Sequence, residues 1–302
     1  MIEQAVTRLD QLARADATVA PLARLQVEIL KVAAAGGWED GVPALDPAQA
    51  EHGVPLLHGQ TLQVDGAQVR RLLVRLAKLT AAASVDGAAA ASAIARAAEQ
   101  GRLDATALVG CAVTQDPDGL QRLRDASDVD LTLLATLGQL VVLPLLLACG
   151  RRAEPLLGAV RWQSGWCPVC AAWPTLAELR GLARDLYLRC GRCGSGWRSE
   201  RRGCVYCGNQ DKEAQGYFAA ERERESRRAA VCAACKGYLK TFATLGPLDP
   251  GELLVRDLQS LELDVTAIEH GYERPDGLGW ELAAEVVAAP ARSGDGWRRW
   301  WR

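Results

Sequence analysis

Residues 166–209 read WCPVCAAWPTLAELRGLARDLYLRCGRCGSGWRSERRGCVYCGN, and one more Cys-x-x-Cys follows as CAAC at 232–235. The four pairs are Cys167/Cys170, Cys190/Cys193, Cys204/Cys207 and Cys232/Cys235. They hold eight of the ten cysteines of the chain within 69 residues. Two thiolates three positions apart on a tight turn can face one cation, and two such turns brought together make a tetrahedral four-cysteine site. Eight thiolates therefore predict two metal sites.

The spacing suggests the pairing. Nineteen residues separate Cys170 from Cys190, ten separate Cys193 from Cys204, and 24 separate Cys207 from Cys232. The first gap suits a ribbon with two knuckles and a hairpin between them. Sequential pairing is the simplest: Cys167, Cys170, Cys190 and Cys193 in one site, Cys204, Cys207, Cys232 and Cys235 in the other. Spacing alone also permits an interleaved arrangement. Gly194 and Gly208 follow the second cysteine of their pairs. Glycine there takes the left-handed conformation at a knuckle's end and lets N–H groups approach sulfur.

Other readings of the cysteines are weaker. The N-terminus, MIEQAVTRLDQLARADA, is an amphipathic helix with charges throughout rather than an export signal. A cytosolic chain keeps its thiols reduced, which argues against disulfides. Thioredoxin-like chemistry uses one Cys-x-x-Cys at a helix start, not four in series. No other ligand or open coordination position is evident, which speaks against a hydrolytic metal centre. Both zinc and iron accept four thiolates; on the residues alone zinc is the commoner structural ion.

The 302 residues suffice for two domains, and a net charge of −2 gives no global attraction to nucleic acid or anionic membrane. Residues 1–155 are rich in Ala, Leu, Val and Arg at helical period. Val69–Ala83 (VRRLLVRLAKLTAAA) is an amphipathic helix with a basic face, and Ala-rich helices follow near 87–99 and 104–113. Roughly seven to nine helices are expected in this part. Leu131–Ala148 is uncharged and near the length of a membrane span, but it holds Gln139 and Pro144 and lacks an aromatic belt. It is expected as a buried central helix, with no membrane span. Cys111 and Cys149 sit in apolar contexts and read as core cysteines. Beyond the ribbons, Glu252–His270 is expected as one helix with Gly271 at its C-cap, and a last helix is expected around Leu278–Val287.

The predicted fold is α+β. An all-helical N-terminal domain (1–155) precedes two tandem rubredoxin-like or zinc-ribbon modules of four cysteines each (156–246). C-terminal helices and a Trp/Arg-rich tail (247–302) follow.

The runs GWCPVC, CGRCGSGWRSERRGCVYCGN, CAACKGYLKTF and VRDLQSLELDVTAIEHGYERP resemble the formate dehydrogenase accessory protein FdhE family. The resemblance is detailed from Trp166 to Pro275 and includes all four Cys pairs, Trp197, Arg201, Tyr238-Leu239-Lys240 and Asp257-Leu258. One departure is Ala171-Ala172, where glycine commonly follows the first pair. The resemblance implies a cytoplasmic assembly factor rather than an enzyme. Its partner would be the catalytic subunit of a respiratory formate dehydrogenase, bound before export. The resemblance also implies iron in the two four-cysteine sites, with zinc as the alternative metal, and redox sensitivity. The charged stretch between the sites, with Trp197, Arg198, Arg201 and Arg202, is the candidate partner-binding surface; the competing reading puts Trp197 in the core and the arginines in solvent. The rival function is a nucleic-acid-binding zinc ribbon, for which Glu221–Arg228 (ERERESRR) supplies local charge. Glutamates interleave those arginines, so no nucleic acid is expected.

Overall fold

The computed structural model describes residues 2–158, 160–220, 222–223 and 225–290. The Trp/Arg-rich end of the tail, 291–302, lies outside the described residues, as do Glu221 and Arg224 of the ERERESRR run.

Among the described residues, nine α-helices precede the first cysteine pair: α1 (Ile2–Ala15), α2 (Ala20–Ala34), α3 (Pro47–Glu51), α4 (Gly66–Ala83), α5 (Ala88–Glu99), α6 (Ala105–Thr114), α7 (Pro117–Ser127), α8 (Leu131–Val141) and α9 (Leu143–Leu157). Their starts are written in the sequence. Asp65, Asp104, Asp116 and Asp130 accept backbone N–H bonds at the heads of α4, α6, α7 and α8. The basic face of α4 is solvated, with Arg75 paired to Glu28 and Lys78 to Glu99.

The expected single helix over Leu131–Ala148 is two helices. Pro144 has no N–H to donate back to Leu140, so the α8 ladder stops and α9 restarts from Val142. The combined stretch Leu131–Leu157 is long and apolar enough to cross a membrane by length and composition. Within the fold, Leu143–Gly150 are all buried.

Two expectations are corrected here. The N-terminal part is not purely helical, because Gln60–Val64 forms strand β1. Likewise Leu278–Val287 is not a helix: Ala284–Ala288 is a strand, β8, paired in parallel with β1 from Gln60↔Ala284 to Val64↔Ala288. The β1 stretch buries Leu62 and Val64 on alternate positions and needs a partner for its other backbone groups. Val286 and Val287, β-branched, suit the pairing.

The ribbons supply the other six strands: β2 (Leu176–Arg180), β3 (Asp185–Arg189), β4 (Gly196–Arg198), β5 (Gln215–Phe218), β6 (Arg227–Cys232) and β7 (Tyr238–Thr244). They form one sheet in the order β4-β3-β2-β7-β6-β5. Each ribbon is an antiparallel three-strand unit. The first strand of one ribbon joins the last strand of the other in parallel, Leu176↔Lys240 to Arg180↔Thr244. The two modules therefore share a single sheet.

The expected helix Glu252–His270 is also two, α10 (Pro250–Leu258) and α11 (Leu261–Glu269). The Asp257 carbonyl accepts from Lys240 Nζ at 2.8 Å and from Ser260 Oγ at 3.2 Å. Side chains thus take the carbonyl that a continuing helix would have used. At the far end of α11, Gly271 has φ +75°, and Tyr272 N–H reaches the Ala267 carbonyl while Gly271 N–H reaches Ile268. These are the two bonds of a Schellman ending.

Candidate metal centres

Each knuckle folds by the same local rule. The residue after the second cysteine is left-handed in all four: Ala171 (φ 63°), Gly194 (76°), Gly208 (75°) and Lys236 (58°). The first cysteine's N–H bonds five residues on, as in Cys167 to Ala172, Cys190 to Ser195, Cys204 to Asn209 and Cys232 to Gly237. The turn so closed points both sulfurs of a pair to one side. Val169 N–H points at Cys167 Sγ (3.4 Å) and Cys193 N–H at Cys190 Sγ (3.5 Å). Gly194 has a second reason to be glycine, since a Cβ there would lie 2.7 Å from Pro250.

The knuckles meet in sequential pairs. Sγ of Cys167, Cys170, Cys190 and Cys193 lie within 4.8 Å of one another, and so do those of Cys204, Cys207, Cys232 and Cys235. Cys167–Cys193 and Cys170–Cys190 are 3.5 Å apart; Cys204–Cys235 is 3.7 Å and Cys207–Cys232 is 3.8 Å. A tetrahedral ion with metal–sulfur bonds of about 2.3 Å sets its sulfurs about 3.8 Å apart. The donor sets therefore fit zinc or iron in size and chemistry. Electrostatics agrees, because four thiolates this close repel unless a cation lies among them. Among the free thiols, burial pushes Cys167 and Cys193 well up, while hydrogen bonds from Cys167, Cys170 and Cys193 hold Cys190 well below the usual thiol value.

The two groups differ in surroundings. Cys167, Cys170 and Cys190 are fully buried and Cys193 is 1% exposed, all four inside the main core. Leu56 and Leu57 N–H bond the Pro168 and Val169 carbonyls at 2.8 and 3.0 Å, stitching this knuckle to the helical part. Gly150 of α9 lies so close that a Cβ would meet the Cys193 carbonyl at 1.9 Å. In the second group Cys204 and Cys232 are buried, but Cys207 and Cys235 are exposed. The remaining cysteines are members of neither group. Cys149 is fully buried, with its thiol pushed up to about 12 by burial, and Cys111 is half-buried.

The four candidate partner residues separate. Trp197 is 5% exposed on β4, the placement that the competing core reading expects. Arg198 is exposed and paired with Asp185 at 2.9 Å. Arg201 folds back on the third knuckle, where a Cβ at Gly208 would lie 2.8 Å from its Nη2. Arg202 is exposed.

A cleft of about 940 Å³ opens beside the first four-cysteine group. It lies between α9, the first ribbon and the segment 247–251. Cys193 and Gly194 line it, Trp162 and Trp197 give it apolar wall, and Arg161 and Arg198 also face it.

A second polar cluster escapes a reading that looks for cysteines. Lys240, fully buried on β7, is paired with Asp257 at 2.7 Å and with Asp264. Arg274 bonds the same two carboxylates at 2.9 and 2.7 Å, and Tyr238 Oη donates to Asp264 at 2.8 Å. The cluster ties β7 to α10 and α11. Its signal is present in the sequence, since Lys240, Asp257 and Arg274 fall in resembling runs that no metal ligand explains. On β2, fully buried Glu178 accepts from Arg189, from Arg180 at 2.8 Å and from the Leu248 N–H at 3.2 Å.

Comparison with known proteins gives no matching family model. The chain is 35% identical over 112 residues to an FdhE homologue of Stutzerimonas stutzeri, a match covering 36% of this chain and 35% of that one. It is 30% identical over 118 residues to an FdhE homologue of Aquifex aeolicus, covering 37% and 40%. Those two matches span well under half of either relative. The FdhE homologue of Pseudomonas aeruginosa is 29% identical over 291 residues, across 85% of this chain and 80% of that one. The chain is similar to FdhE homologues, in part at 30–35% identity and over most of its length at 29%. The crystal structure of the FdhE protein from Pseudomonas aeruginosa superposes with a TM-score of 0.56 over 93% of this chain and 95% of the other, at 24% identity. The fold is thus shared along almost the whole of both chains.

Proposed function

We propose that this chain is a member of the FdhE family and a cytoplasmic assembly factor, not an enzyme. It binds the catalytic subunit of a respiratory formate dehydrogenase and supports its maturation before export. The observation that carries the reading is an FdhE match running through 85% of the chain, in a fold that assembles both four-cysteine groups. An accessory role also agrees with the ligand count: four cysteines fill a tetrahedral ion and leave no position for substrate.

The eight cysteines hold two ions, iron in the favoured reading and zinc in the alternative. Docking uses the mouth of the 940 Å³ cleft, where Arg198 and Arg161 present charge beside an apolar wall. Arg161 forms only a loose pair with Glu200, at 3.6 Å and largely exposed. Reversing both charges (R161E, R198E) is expected to weaken binding of the purified catalytic subunit about ten-fold, worth about 1.4 kcal/mol. R122E on α7, 72% exposed, is expected to leave it unchanged. Full affinity in the double variant contradicts this docking face. If iron gates client release, affinity differs between oxidised and reduced protein; equal affinities would remove the redox role.

The nucleic-acid reading is disfavoured by pairing. Arg227 is bonded to Glu223 and Glu262, Arg184 to Glu225 and Arg198 to Asp185, so acidic partners offset these arginines of the ribbons.

A further inference from the structure

The two four-cysteine groups share one geometry and one local fold, yet the chain surrounds them differently. The first is part of the main core. Its four cysteines are at most 1% exposed, α9 lies against the Cys193 carbonyl through Gly150, and Pro250 covers Gly194. The loop at Leu56 and Leu57 bonds its first knuckle. Of the four cysteines, Cys193 borders the 940 Å³ cleft, but at 1% exposure it is covered, so a donor must displace packed atoms to reach an ion there. The cysteines of the second group belong to none of the hydrophobic clusters of the described residues. One cysteine of each of its knuckles, Cys207 and Cys235, faces solvent. Each knuckle thus sets one cysteine at the surface, from which an incoming ligand can approach without unfolding either strand pair.

We propose that the two sites differ in role: the first holds a permanent ion that completes the core, and the second is an exchange site. At the second site an external thiolate or chelating donor reaches the ion past Cys207 and Cys235. The step is a substitution. The donor bonds the ion as one cysteine thiolate leaves, and no electron is transferred. Cys204 and Cys232, which are buried, hold the ion while the exposed pair turns over. The assignment rests on the reading of both groups as metal sites. It adds that occupancy of the second follows the surrounding pool of metal and thiol, whereas occupancy of the first does not.

The test uses the full chain made replete with Zn²⁺. Metal content is measured first; fewer than two ions per chain would overturn the metal reading, and this proposal with it. The replete protein is then challenged with the chromogenic chelator pyridylazoresorcinol, and samples are quenched with iodoacetamide and mapped by peptide mass. The expected result is two separate release phases of one ion each. Alkylation of Cys204, Cys207, Cys232 and Cys235 should track the first phase, with Cys167, Cys170, Cys190 and Cys193 still unlabelled at its end. Release of both ions in one phase, or earlier labelling of the first group, would overturn the exchange assignment while leaving two metal sites intact.

Discussion

Lys240 is the clearest case of a single side chain that organises its surroundings. Its ammonium is fully buried, touches two carboxylates and caps the end of α10. Removing it leaves Asp257 and Asp264 with Arg274 as their shared cation, and Asp264 with the Tyr238 hydroxyl. Breaking a buried ion cluster costs about 3–5 kcal/mol, so K240M is expected to lower the unfolding free energy of the metal-loaded protein by that much, read by urea titration. The cluster also carries a pH dependence. Burial by itself would raise the Asp257 pKa, but the charges of Arg274 and Lys240 and their hydrogen bonds hold it below the usual carboxylate value. The unfolded chain therefore takes up that proton first as pH falls. The contribution is fully present above about pH 4 and is lost as pH drops through the folded value. The stability gap between wild type and D257N should accordingly stay constant from about pH 5 to 7 and shrink toward about pH 3. A gap that widens on acidification would reverse the sign of this account.

The knuckle and the ribbon are the legible elements, because four repeated spacings encode four copies of one turn. What the spacing does not contain is how the ribbons join. The parallel contact between β2 and β7 arises when two three-strand units place their edges together, and neither strand's pattern alone announces a partner so far along the chain. The helix breaks at Val142 and Ser260 are hidden for different reasons. Pro144 is visible, but its neighbours are apolar enough to read as continuous. Ser260 breaks its helix only because Lys240 arrives from a distant strand. Strand β8 reads as helix because its Ala and Glu residues favour that state, and only β1 supplies the competing pairing. Trp197 is legible as core or interface, and the fold leaves it 5% exposed. At the knuckle a direct prediction follows. In G194A the new methyl meets both a φ of +76° and Pro250 at 2.7 Å. The left-handed cost alone is about 1–2 kcal/mol, and the same change at Gly181, φ +63° with open space, should cost only that. Equal losses in urea unfolding would show that Pro250 does not press on the knuckle.

As a molecule, the protein is a helical layer whose core runs without a break into the first metal ribbon. The second ribbon is attached through the shared sheet and through the Lys240 cluster to α10 and α11. This arrangement couples metal and fold: a structural ion of this kind contributes folding free energy on the order of 10 kcal/mol. Losing the first ion should loosen the helical part as well, while losing the second should stay local to β5, β6 and α11. Both statements depend on the ions being there. Native mass spectrometry of protein purified without oxygen and without added metal tests this most directly. The account predicts a chain carrying two metal ions, with the mass increment giving iron or zinc. A chain that carries no metal, or whose mass shows the eight cysteines paired as disulfides, would contradict it.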